Sequence, residues 1–184
     1  MTDAAFDTPL PVRSRGAVAL VLIALAMGGF AIGVTEFAAM SILPDFAAGL
    51  GVNAPTAGHV ISAYAAGVVV GAPILAVLGA RYPRWLLLIA FMALFAVGNV
   101  ASALAPTYHW MLVFRFLSGL PHGAYFGVAA LVAASIVPLH FRTRAVSTIL
   151  MGLTVGTVLG VPVVNMISHA LSLIHISEPT RQAE

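Results

Sequence analysis

Long runs of apolar residues dominate the chain and alternate with short polar connections. Five runs reach the roughly 20 residues that an α-helix needs to cross a membrane. The predicted spans are 16–42, 57–78, 85–104, 110–137 and 145–169. The first run is longer than the roughly 7 to 15 apolar residues of a secretory signal peptide, so we expect a membrane helix there. The pattern predicts an all-α integral membrane protein with about five transmembrane helices.

Composition supports this prediction. Of 184 residues, 61% are hydrophobic and 8% are charged, whereas soluble domains carry about 25% charged residues. These values exclude soluble enzymes and nucleic-acid binders, and they make the lipid bilayer the expected surroundings. Cysteine is absent, so the sequence predicts no disulfide and no thiolate chemistry. We also expect no cofactor and no metal site.

Arginine occurs at alternate ends of the predicted spans. The residues are Arg13 and Arg15 before the first span, Arg81 and Arg84 between the second and third, and Arg142 and Arg144 between the fourth and fifth. The other connections contain no arginine or lysine. Because cytoplasmic loops of membrane proteins retain basic residues, the amino-terminal tail 1–15 is predicted to be cytoplasmic.

Two charged residues fall inside the predicted spans, Glu36 in the first and Arg115 in the fourth. Helix rise places each of them roughly 8 to 12 Å from the outer face of the membrane. An ionised group at the bilayer centre costs at least ~2.5 kcal/mol, so such residues usually face a cavity or a partner. The two could therefore form a buried ion pair that only joins two helices, or Glu36 could bind and release a proton.

Other polar residues share these helix faces. Arg115, Gly119 and His122 follow one another at i, i+4 and i+7, which places the guanidinium and the imidazole on one face of a helix. His122 could relay protons or could be a hydrogen-bonded packing residue. In the second span, His59 and Tyr64 are candidates to line the mouth of a cavity, although a tyrosine near the interface is ordinarily an anchor.

Glycines recur at four-residue spacing, a pattern that predicts close helix packing in lipid. They are Gly29 and Gly33, Gly67 and Gly71, Gly119, Gly123 and Gly127, and Gly152, Gly156 and Gly160. Pro162 follows the last of these and predicts a bend or a break in the fifth span.

Several segments together resemble the amino-terminal half of a major facilitator superfamily transporter. The similarity covers about 16–167 and is closest to the drug:proton antiporter branch and its arabinose-efflux-permease-like members in the bacterial inner membrane. The matching runs are 33–37, 61–64, 67–73, 121–124, 151–154 and 160–162. Arg115 with Gly119 resembles the motif of the fourth helix, and the series Gly152, Gly156, Gly160 and Pro162 resembles the antiporter motif of the fifth.

This resemblance implies a multi-pass, proton-coupled exporter of a small molecule such as a sugar or a drug. Glu36 would then take and release the coupling proton beside Arg115, and His122 with Tyr64 would line the cavity. Such transporters build each six-helix half from two inverted three-helix units, so the first and fourth helices are equivalent. The two charges inside the predicted spans lie on these two helices.

The end of the sequence departs from this pattern. Residues 171–181 match the translation of a DNA adapter used in transposase-based sequencing, so we expect 171–184 not to be native. His175, Glu178, Arg181 and Glu184 then have no role. Residues 16–170 would be part of a six-helix half that lacks the carboxy-terminal half of its parent chain, and this fragment would be inactive alone.

Two other functions remain open from the sequence. A non-transporting membrane module or accessory protein could bind a partner helix through its glycine faces. An intramembrane hydrolase would need Ser118 and His122, which are four residues apart on one helix, as nucleophile and base.

Overall fold

The structure, a computed structural model, describes residues 14–168, and this part of the chain is helical without β-strands. The elements are α1 Arg15–Ser41, α2 Leu43–Leu50, α3 Ala54–Gly79, α4 Arg84–Ala103, α5 Tyr108–Ser135, a 3-10 turn Leu139–Phe141, α6 Arg142–Val155 and a π-helical turn Gly156–Gly160. Helical backbone continues over 161–168. Five segments are long and apolar enough to cross a membrane, namely α1, α3, α4, α5 and the stretch Leu139–Ser168. The predicted fold class is confirmed.

The start of α3 differs from the prediction for a physical reason. The polar stretch before position 57 indicated a loop, but the Asn53 side chain accepts a hydrogen bond of 2.9 Å from the Thr56 backbone N–H and caps a helix that begins at Ala54. Pro55 fits in the first turn because that turn needs no donor from it. The same connection contains the short helix α2, which the sequence did not predict and which ends at Gly51 with a φ of 64°.

Helix α5 is the central element of the bundle. It packs against α3, α4 and α6, whereas α1 packs mainly against α6 and the π-helical turn. A side chain at Gly67 would collide with the carbonyl of Phe116, and one at Gly71 would collide with Leu120. The α3 and α5 backbones therefore approach each other at these glycines, as the four-residue spacing predicted.

A second close contact joins α1 to α6. A side chain at Gly152 would collide with the backbone of Ala26, and one at Gly33 would lie 2.6 Å from the carbonyl oxygen of Leu153. The prediction is wrong for Gly127, where an added Cβ would have no described atom within 4 Å. Gly127 lies one turn beyond Gly123 on α5 and lines a cavity of about 510 Å³, which leaves open space beside it.

The predicted irregularity near Pro162 is a widened helical turn. Gly156–Gly160 is π-helical and ends two residues before the proline. Proline has no N–H to donate and its ring crowds the carbonyl four residues earlier, so regular α-helical bonding is disturbed here. Pro121 also lies within a helix, but α5 continues past it to Ser135.

Three predictions concern regions outside the described residues. These regions are the amino-terminal tail up to Arg13, the last residue of the fifth predicted span, His169, and the segment 171–184.

Candidate functional site

Four polar side chains from three helices meet within the apolar bundle. We call Glu36 of α1, Tyr64 of α3, and Arg115 and His122 of α5 the polar cluster. Tyr64 and Arg115 are only 2% and 5% exposed. Lipid offers such groups no hydrogen bonds, so they depend on partners within the protein.

His122 is the meeting point of the three helices. Its Nδ1 atom lies 2.8 Å from the hydroxyl oxygen of Tyr64 and 3.7 Å from Oε2 of Glu36. The side chains of His122 and Glu36 are 14% and 23% exposed, respectively. One imidazole nitrogen therefore faces both a phenol and a carboxylate, and the pair remains partly accessible from outside the bundle.

Arg115 is held by different partners. Its guanidinium carbon lies 4.7 Å from the centroid of the Tyr64 ring, and its Nη1 atom donates a hydrogen bond of 3.4 Å to the side chain of Asn99. Its Nε atom is buried, and the described part of the protein provides no hydrogen-bond partner for it. The cation thus contacts α3 and α4 more closely than α1.

This geometry corrects one interpretation from the sequence. Glu36 and Arg115 were possible partners in a direct ion pair, but within residues 14–168 the side chain found within ion-pairing distance of the Glu36 carboxylate is that of His122. The Tyr64 ring covers the guanidinium, and His122 lies two turns further along α5 toward Glu36. Glu36 and Arg115 therefore belong to the same cluster without an ion pair between them.

His59 lies apart from the polar cluster. Its Nδ1 atom is 3.1 Å from the Tyr108 hydroxyl, which donates a hydrogen bond of 2.9 Å to the carbonyl of Thr56. These contacts join the first turns of α3 and α5. The structure therefore gives His59 a role in linking two helix ends, away from Tyr64 and His122.

The glycines that resemble the antiporter motif lie against α1. Side chains at Gly152, Gly156 and Gly160 would collide with Ala26, Phe30 and Val34, respectively. Val34 precedes Glu36 by two residues on the same helix. The π-helical turn and Pro162 are therefore adjacent to the part of α1 that carries the carboxylate.

Arg81 and Arg84 lie at the connection between α3 and α4 and are exposed. Arg84 lines a cavity of about 510 Å³ together with small residues of α3 and α5, such as Ala72 and Gly123. This end of the bundle is distant in sequence from Glu36 and Arg115, and its arginines do not belong to the polar cluster.

Asn99 is a site residue that the sequence analysis missed. It contacts Arg115, and both residues line a cavity of about 380 Å³ between α1, α4 and α5 that also includes Thr35 and Ser102. The signal was present, because Asn99 is the single amide side chain within α4 and amides are uncommon in lipid unless they bond to another helix.

The described residues do not pair Ser118 with His122 as a hydrolase would need. Ser118 is 0% exposed, and its hydroxyl donates a hydrogen bond of 2.9 Å to the backbone carbonyl of Arg115. Within residues 14–168, His122 bonds to Tyr64 and faces Glu36, and no hydrogen bond joins it to Ser118. The same residues contain no group of three acidic or histidine side chains that could hold a metal ion.

Comparison with known proteins identifies the family. Residues 25–176 match the Major Facilitator Superfamily. The chain belongs to this superfamily. It is 47% identical over 141 residues to the inner membrane transport protein YdhP of Escherichia coli K12, and 41% identical over 152 residues to the putative transporter AraJ of the same strain. It is 37% identical over 143 residues to a chloramphenicol resistance protein of Streptomyces lividans.

These matches cover most of the chain but little more than a third of each relative. They include 77%, 83% and 78% of the chain, and 36%, 39% and 36% of YdhP, AraJ and the chloramphenicol resistance protein, respectively. The five apolar helices and the polar cluster thus lie in a chain of the Major Facilitator Superfamily, and each of these helices is long and apolar enough to cross a membrane.

Proposed function

We propose that the chain is the amino-terminal part of a proton-coupled exporter in the bacterial inner membrane, in the drug:proton antiporter branch of the superfamily. Its relatives include proteins named for inner-membrane transport and for resistance to a drug. The complete protein would exchange protons for a small molecule, either a sugar or a drug-like compound. The remaining half of the parent chain would supply the other wall of the cavity.

The observation that carries this proposal is the contact between Glu36 and His122. A carboxylate and an imidazole from different helices approach to 3.7 Å inside a bundle of apolar helices. Placing ionisable groups at this depth is costly, and in membrane proteins such residues usually mark ion or proton pathways. A structural role alone would not require two ionisable groups that are both partly accessible.

Proton exchange and substrate binding would compete at this pair. Glu36 takes a proton from one side of the membrane and releases it to the other, while His122 and Tyr64 line the path. Arg115 supplies a fixed positive charge nearby. A substrate that enters the cavity favours release of the proton, and a proton on Glu36 favours release of the substrate. In this family the alternation of access follows from rocking of the two repeats around a central site.

The glycine motif of α6 fits the same proposal. Gly156 and Gly160 allow the π-helical turn to lie directly on α1 beside Val34, two residues from Glu36. Irregular helical turns of this type occur frequently at functional sites. Movement of α6 against α1 would therefore be transmitted to the carboxylate over a short distance.

A non-transporting module is less well supported. That function would use glycine faces to bind a partner helix, but most of these glycines already contact neighbouring helices of this chain. Among the glycines of the predicted pattern, Gly127 is the one that an added Cβ would leave without a described neighbour. The glycine pattern is thus accounted for by packing within the chain.

A transport assay of Glu36→Gln in the complete gene tests the proposal. The expected result is loss of proton-driven accumulation of radiolabelled chloramphenicol in inverted membrane vesicles. Thr154→Ala is a suitable control, because the Thr154 hydroxyl bonds only its own helix and is exposed. Accumulation by Glu36→Gln at the rate of the unmodified protein would contradict the assignment of Glu36.

A further inference from the structure

The Tyr64 side chain occupies an unusual position in the polar cluster. Its hydroxyl lies 2.8 Å from Nδ1 of His122, its ring lies under the guanidinium of Arg115, and it is almost completely buried. We infer that Tyr64 is a positioning residue, whose hydroxyl competes with Glu36 for Nδ1 of His122 and so determines when the imidazole pairs with the carboxylate. This inference rests on the proposed function, since it describes how the proton site is regulated.

Hydrogen-bond chemistry explains why the two partners compete. A neutral imidazole has one nitrogen that carries a proton and one that accepts. An ionised carboxylate accepts hydrogen bonds and donates none, so it cannot bond to a bare Nδ1, whereas a phenol can donate to it. We assign the proton to Nε2 and leave Nδ1 bare, an assignment that fits the distances of 2.8 Å to Tyr64 and 3.7 Å to Glu36.

Addition of a proton to Nδ1 would reverse this preference. If the proton comes from a protonated Glu36, the O–H bond of the acid breaks, its electron pair stays on the oxygen, and a new N–H bond forms on the imidazole. Tyr64 can then no longer donate to Nδ1. The new N–H donates instead to the Glu36 carboxylate, and the ions formed are partners in a charge-assisted bond. The hydrogen bond from Tyr64 therefore stabilises the form in which His122 is neutral and makes no hydrogen bond to Glu36.

The surrounding helices leave few other groups that could act on His122. Glu36 faces it from α1, Tyr64 from α3, and Arg115 lies on α5 itself. From α4 the cluster receives Asn99, which is neutral and bonds to Arg115. The ionisable side chains of α6 are Arg142 and Arg144, both at its start. Tyr64 and Glu36 are thus the two groups that can exchange as hydrogen-bond partners of Nδ1. The guanidinium of Arg115 lies over the Tyr64 ring and holds it in place.

Nitrogen NMR of the 184-residue chain in lipid nanodiscs tests this inference directly. The chain would carry ¹⁵N-labelled histidine, and the His122 signals would be assigned by their loss in His122→Gln. At alkaline pH we expect one neutral form of His122, with the proton on Nε2 and Nδ1 as acceptor. In Tyr64→Phe both neutral forms should be populated, because the donor to Nδ1 is gone while the ring under Arg115 is kept.

Tyr125→Phe provides a matched control. Tyr125 is also buried, and its hydroxyl donates a hydrogen bond of 2.7 Å to the carbonyl of Leu25 rather than to His122. This variant loses a buried tyrosine hydroxyl but should leave the His122 spectrum unchanged. An Nδ1-protonated neutral form in the unmodified chain would overturn the inference, even if Tyr64→Phe fails to fold. An unchanged spectrum in a folded Tyr64→Phe would overturn it as well.

A transport measurement separates this inference from the proposed function. In the complete protein, Tyr64→Phe should reduce proton-driven chloramphenicol export about fivefold, as expected for loss of one hydrogen bond, whereas Tyr125→Phe should not. If Glu36→Gln leaves export intact while the NMR result holds, the proposed function is wrong and the role of Tyr64 at His122 stands. If Glu36→Gln abolishes export but His122 does not respond to Tyr64→Phe, the inference about Tyr64 is wrong.

Discussion

The environment of Arg115 shows how one buried cation is accommodated in an apolar bundle. The Tyr64 ring lies against one face of the guanidinium, and Asn99 accepts a hydrogen bond from its edge. The planar shape of the group allows both contacts at once, which a compact ammonium group could not achieve. Shape as well as charge is therefore required at this position.

Arg115→Lys tests this requirement. We expect proton-driven export to fall about tenfold, because the cation–π contact and the bond to Asn99 cannot both be kept. Arg144→Lys is the control, since Arg144 also lies over an aromatic ring, that of Phe141 at 5.8 Å, but far from the polar cluster. Equal export by Arg115→Lys and the unmodified protein would indicate that only the charge matters.

The sequence identified the four residues of the polar cluster but did not show which of them contact one another. Glu36 and Arg115 were evident because a charge in an apolar run is conspicuous, and Tyr64 and His122 followed from their chemistry. The pairing of Glu36 with His122 depends on the rotation of α1 and α5 about their axes. Such rotations are set by packing between helices and are not encoded in the spacing along one helix.

At the scale of helices, glycine-mediated contacts hold the bundle together. The backbones of α1 and α6 approach so closely at Gly152 that a methyl group would collide with the backbone of Ala26. In lipid, association of helices depends on such close packing because no hydrophobic effect drives it. Even a methyl group at position 152 should therefore lower the free energy of unfolding.

Gly152→Ala should lower the free energy of unfolding by about 2 kcal/mol, as is typical for overpacking at a rigid contact. Gly127→Ala is the matched control, because its added methyl group meets no described atom and alanine favours helix by about 1 kcal/mol. Unfolding in SDS, followed through the fluorescence of Trp85 and Trp110, measures both variants. Equal midpoints for the two variants would contradict the packing account.

Helices were predictable where hydrophobicity alone determines them. The five long apolar runs became five long helices, but α2 and the early start of α3 were missed. The missed features depend on local capping by Asn53 and on the left-handed conformation of Gly51. The π-helical turn was expected only as a break, since the sequence cannot specify how a helix adapts to Pro162.

At the scale of the whole molecule, the arrangement has two similar helix pairs. Helix α1 lies on α6 through one set of glycines, and α5 lies on α3 through another. Glu36 lies on α1 in the first pair, and Arg115 lies on α5 in the second. This correspondence is what two related three-helix units in a transporter would produce.

Labelling of single cysteines tests the proposed orientation. The chain contains no cysteine, so each introduced thiol can be followed without background. In intact cells an impermeant maleimide should label Thr107→Cys, at the connection before α5, and should not reach Tyr82→Cys, at the arginine-bearing connection before α4. Permeabilised cells should show labelling of both. The reverse pattern in intact cells would contradict a cytoplasmic amino terminus.

The central claim is tested most directly by transport of chloramphenicol, a probe for the proposed drug-like substrates, by Glu36→Gln under two driving forces. In proteoliposomes of the complete protein, the variant should lose uptake driven by a pH gradient. It should retain exchange of labelled for unlabelled chloramphenicol at equal pH, because substrate can still bind and cross while no proton is carried. Uptake driven by the pH gradient at the rate of the unmodified protein would show that Glu36 does not carry the coupling proton.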